Sequence, residues 1–76
     1  MSDRTRKAMR QLKRSGKSAE ELWRESRAGI IESAKNGKWR ESELIASLAD
    51  FYMDMEVVYG KNAMKKADAA VKENPK

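Results

Sequence analysis

The stretch from Glu41 to Tyr59 restricts the fold more than any other part of the chain. Leu44, Leu48, Phe51, Met55 and Val58 recur at steps of three or four, and Ile45, Tyr52 and Tyr59 follow one position behind. On a helix turning about 100° per residue these eight side chains cover an arc of roughly 140°, a wide buried face. Glu43, Ser47, Asp50 and Asp54 form a narrow stripe beside it, while Met53 and Val57 fall outside the main arc. A helix with so broad an apolar face is one that others pack around.

The remaining segments also read as helices. From Ser2 to about Arg14, Met1, Ala8, Met9 and Leu12 share one face and Arg6, Lys7, Arg10, Lys13 and Arg14 spread over the other. This is a basic amphipathic helix with a thin seam, expected to be weak alone, and Arg14-Ser15-Gly16 ends it. Ser18-Ala19-Glu20-Glu21 has the form of a capping box, so a second helix starts near Ala19. Its inner stripe is Leu22, Trp23, Ile30 and Ala34, widened by Ile31, and Asn36-Gly37 supplies a left-handed end. Gly29, inside it, fits either a close helix crossing or simple tolerance at about 1 kcal/mol relative to Ala. Trp39, just before the central helix, stands where a side chain folds back on the first turn. Gly60 closes the central helix, Asn62 is a candidate cap, and Ala63, Met64, Ala67, Ala70 and Val71 make a small-residue stripe on a fourth helix ending near Glu73. No sustained alternation of period two competes.

The expected fold is therefore all-α: a compact small helical domain of three main helices (18–76), preceded by a weaker basic N-terminal helix or arm (1–17). Leu22, Trp23, Ile30, Leu44, Leu48, Phe51, Tyr52, Met55 and Val58 are its expected core. A chain of 76 residues buries only about 60% of the surface it exposes when unfolded. With no cysteine there is no disulfide or thiolate metal site to reinforce it.

Composition narrows the function classes. There is no His and no Cys, so the commonest general base, thiol nucleophile and structural zinc ligands are missing. The glycines are scattered, with no phosphate-binding loop after a strand, and the carboxylates lack the spacing of a calcium loop. The expectation is a non-enzymatic protein without cofactor, metal or small-molecule substrate. No apolar run approaches the ~18 residues of a membrane span, and no signal-peptide core is visible, which points to a cytoplasmic protein.

What remains is charge. The chain carries 17 Lys and Arg against 12 Asp and Glu. Residues 1–17 hold seven basic residues and one acid (+6), residues 18–60 five and nine (−4), and residues 61–76 five and two (+3). Arg4, Arg6, Lys7, Arg10, Lys13, Arg14 and Lys17 can reach phosphates, so electrostatic contact with DNA or RNA by an accessory or regulatory protein is the leading expectation. Lys61, Lys65 and Lys72 could extend that surface. The alternative is a regulator or inhibitor that binds protein through an apolar helical surface of Trp39, Met53 and Val57, including as a homodimer. A third reading, an amphipathic N-terminus on an anionic membrane surface, is weakened by the absence of any aromatic on its apolar face.

Overall fold

The computed structural model describes residues 3–73, and these form four α-helices and no strand. They are α1 (Asp3–Arg14), α2 (Ala19–Gly37), α3 (Glu41–Tyr59) and α4 (Lys61–Glu73). No helix among the described residues is long and apolar enough to cross a membrane. The all-α expectation holds, with α3 packed against each of the other three helices and α2 also against α4.

The turns follow local chemistry. Lys17 and Gly16 donate their backbone N–H groups to the carbonyls of Leu12 and Lys13, with Gly16 at φ 96°, so α1 ends in a Schellman motif. Ser18 caps α2 by accepting from the Glu21 N–H at 3.1 Å. At the other end of α2 the left-handed residue is Lys38 (φ 52°), not Gly37. The Lys38 and Trp39 N–H groups donate back to Lys35 and Ala34. Gly37 serves a different purpose: a Cβ there would lie 2.8 Å from Trp39 Nε1, so its missing side chain is what lets the indole lie over the end of α2. Trp39 thus lies against the end of α2, and it stays partly exposed. Arg40 opens α3, its N–H donating to Glu43 Oε1. Gly60, at φ 97°, ends α3 by donating to Glu56, and its carbonyl accepts from Met64, so it also opens α4. Asn62 lies inside α4 and is not its cap.

Met9, Leu22, Trp23, Met55, Met64, Ala67 and Val71 form the core, with Leu48, Phe51, Tyr52, Val58 and Tyr59 packed against it. Trp23 organises its middle: the indole stacks on Phe51 (6.5 Å between centroids), meets Tyr52 edge-on (5.4 Å) and donates Nε1–H to Asp68 Oδ1 at 3.1 Å. Ile30 and Leu44 are only half-buried, and Ile45, expected in the buried arc, is 58% exposed. Helix length explains this. α4 runs back along α3 from Gly60, Lys72 reaching the level of Leu48 and Ala49, where they line one depression with Tyr52 and Asp68. Its 13 residues span about 20 Å against about 28 Å for the 19 of α3, so α4 stops short of the first turns of α3.

Two glycines on one helix behave oppositely. Nothing lies within 4 Å of a Cβ at Gly29, which removes the helix-crossing explanation. Gly29→Ala is expected to raise the unfolding free energy by about 0.5–1 kcal/mol in urea titrations. Gly37→Ala is expected to leave helicity intact while displacing the Trp39 indole, seen as a changed tryptophan emission.

Candidate nucleic-acid interface

α1 is positioned by a stripe on which apolar and cationic residues alternate. Met9 is buried in the core, and Arg6 and Lys13, three positions before it and four after, lie on the same side of the helix. Arg6 Nε donates to Asp54 Oδ1 at 2.8 Å, with the carboxylate almost entirely buried and Arg6 about one-third exposed. Lys13 Nζ donates to the Val58 carbonyl at 3.0 Å, in the last turn of α3, and sits 5.5 Å from the centroid of the Tyr59 ring. The inner face expected from the sequence, Met1, Ala8, Met9 and Leu12, is thus rotated: Ala8 and Leu12 are exposed, and Met1 lies outside the described residues. Arg6 and Lys13, read as outward cations, belong to the packed side.

Lys17 is committed as well. Its Nζ pairs with Glu25 at 2.8 Å, and its carbonyl accepts from the Tyr59 hydroxyl at 2.8 Å. The hydrogen bond to Glu25 raises the Lys17 pKa above the ordinary lysine value. Burial raises the Tyr59 pKa, and burial followed by the nearby Asp68 carboxylate raises that of Tyr52. Both phenols are therefore held neutral.

Four of the seven N-terminal cations remain: Arg4, Lys7, Arg10 and Arg14 are exposed and have no ion-pair or hydrogen-bond partner for their side chains among the described residues. Lys7, Arg10 and Arg14 stand at steps of three and four, making one line of positive charge along α1, with Arg4 at its start. On α4, Lys61 and Lys65 are exposed, while Lys72 pairs with Asp68 at 3.0 Å.

Of the apolar candidates, Val57 borders this line. Met53 and Val57 are 61% and 56% exposed on α3. Val57 and Val58 form one wall of a shallow groove of about 440 Å³ whose other wall is Arg10, Lys13 and Arg14. Trp39, at the α2–α3 turn, is tied to α2 as described. The opposite charges of the N-terminal segment and of the stripe holding Asp54 allow such a pairing as Arg6–Asp54, but with partners 48 residues apart the sequence does not single out these two. No family model, curated protein or solved structure matches the chain.

Asp54 Oδ2 is buried without a hydrogen-bond partner among the described residues, so Arg6 supplies the only neutralisation seen there. Arg6→Ala is expected to lower stability by about 2 kcal/mol, the range for a hydrogen bond to a buried charge, whereas Arg4→Ala should stay within about 0.5 kcal/mol. Arg6→Met combined with Asp54→Leu should recover most of that loss, because replacing both partners removes the buried charge. Equilibrium urea unfolding of the variants checks this. The tyrosines give a pH prediction. Their raised pKa values make a contribution that is complete below about pH 10 and lost as pH rises through the folded-state values. Tyr59→Phe should be less stable at neutral pH by about 1 kcal/mol and should show a shallower alkaline decline, measured by urea midpoints from neutral to alkaline pH.

Proposed function

We propose that the protein is a small non-enzymatic accessory or regulatory protein that contacts nucleic acid electrostatically through the outward face of α1. The observation that supports this reading is the division of labour on that helix. Arg6, Met9 and Lys13 hold it to α3, leaving Arg4, Lys7, Arg10 and Arg14 in line and without intramolecular partners among the described residues. A line of cations on an anchored helix meets phosphates with little further ordering, and each phosphate neutralised releases counterions. The contact follows backbone charge and not base edges: Gln11 is the one amide side chain among these cations, and sequence readout calls for several side chains placed against base edges. α3 is not the helix that enters a groove, because Glu43 and Asp50 are exposed on it.

The test is fluorescence anisotropy of labelled duplex DNA and of single-stranded RNA, titrated at about 50 mM and 200 mM salt. If all four cations engage phosphates, duplex affinity should fall on the order of 100-fold between these salts. Replacing Arg4, Lys7, Arg10 and Arg14 by Gln should remove most of the binding and most of the salt slope, with helicity unchanged by circular dichroism. Undiminished affinity in that variant would overturn the reading. Arg6 is left intact because its loss would act through folding.

A further inference from the structure

We infer that the outer face of α3 is a self-association surface, occupied by the same face of a second copy of this chain running antiparallel to it. The inference does not rest on the nucleic-acid reading, although Arg10 and Arg14 take part in both contacts. It begins from the exposed apolar side chains: Ala46, Ala49, Met53 and Val57 follow one another at steps of three and four along the side of α3 turned away from the core, and all are exposed. α3 therefore carries apolar residues on two sides, and only one of them is covered.

The choice of a second copy rests on charge. Residues seven apart lie nearly in line on a helix, so Glu43, Asp50 and Val57 mark one edge of the exposed face. That edge is acidic from its start to its middle, where Glu43 and Asp50 are exposed. At its end it is cationic, where Arg10 and Arg14 stand across the groove from Val57. A two-fold axis relating two antiparallel helices face to face carries each edge onto the same edge of its mate with the direction reversed. The acidic start of one copy then meets the Arg10 and Arg14 end of the other, twice over. With the axis crossing the outer face at the level of residues 51 and 52, Ala46 lies opposite Val57 of the second copy and Ala49 opposite Met53. Small residues thus face large ones, and the helices can approach within the usual 8–10 Å. A parallel pairing would not bring the acidic and basic ends together. On the far edge, Lys72 and Arg27 share a depression with Ala49 near the midpoint, where Asp68 neutralises Lys72 at 3.0 Å.

Sedimentation velocity without nucleic acid, from about 10 µM to 1 mM protein, tests the assembly. The wild type should pass from monomer to dimer over this range. Met53→Asp should weaken the dimer by about 30-fold or more, as expected of a central interface residue, and Val57→Asp should do likewise. Circular dichroism checks that each variant is folded. Glu43→Arg should also weaken the dimer, and adding Arg10→Glu and Arg14→Glu to it should restore association, because the swapped charges meet again across the axis. A wild type that stays monomeric at 1 mM would overturn the inference, and any partner for this face would then be a different protein. Dimers that persist in folded Met53→Asp and Val57→Asp would overturn it too, and failure of the charge swap to restore association would overturn the antiparallel arrangement.

Discussion

Asp54 sets the terms on which the N-terminal helix belongs to the fold. A carboxylate this deeply buried is tolerated only beside a cation, and Arg6 of α1 provides one at 2.8 Å while Met9 fills the core next to it. Without α1 the charge would face solvent from the side of α3, as its place in an acidic stripe implies. With α1 in position it becomes the fixed point around which the helix is oriented. That orientation decides which cations face inward. Arg6 and Lys13 bond to α3, and Arg4, Lys7, Arg10 and Arg14 are left exposed, so one contact bears on both the packing of α1 and the charge the molecule presents.

The other half of the architecture is governed by length. α4 covers α3 only from Tyr59 back to about Leu48, and the facing residues follow suit: Trp23, Met55, Met64, Ala67 and Val71 are enclosed, while Ile30, Ile31, Leu44 and Ile45 lie toward the open end of the α2–α3 pair. The core is consequently small and leans on methionine. Met9, Met55 and Met64 come from three different helices and are nearly or wholly buried, and an unbranched side chain suits a junction whose shape is set by several crossings at once.

The sequence made the helices legible because each carries its own punctuation. The ends of α3 are read directly from Arg40-Glu41 and Gly60, the start of α2 from Ser18 and Glu21, and the inner stripe of α4 from Met64, Ala67 and Val71. Periodicity misleads where coverage depends on another helix. Ile45 fits the buried arc as well as Leu48 does, and only the reach of α4 separates them. It also misleads where an inward residue is charged, since a hydrophobic pattern places Arg6 and Lys13 outside by construction. Trp23 and Trp39 show the same limit, each opening the tetrad Trp-Arg-Glu-Ser. One becomes the centre of the core and the other lies over a helix end, because Trp23 meets Phe51, Tyr52 and Asp68 while Trp39 lies against the gap left by Gly37. The candidate site was legible as a concentration of cations, but the commitment of Arg6 and Lys13 depends on contacts with residues more than forty positions away.

Those long separations also govern the order in which the molecule can assemble. The hydrogen bonds from Arg6 to Asp54, from Lys13 to the Val58 carbonyl and from Tyr59 to the Lys17 carbonyl span 42 to 48 residues, and α1 packs on α3 instead of on its neighbour α2. Contacts of this kind close a large loop before they give any return, which slows their formation. α1 is synthesised before α3, so its inward stripe has no counterpart until Asp54 and Val58 have left the ribosome. During that interval Arg6 and Lys13 are as bare as Arg4, Lys7, Arg10 and Arg14, and of the seven cations in the first 17 positions Lys17 alone has its partner, Glu25, within reach.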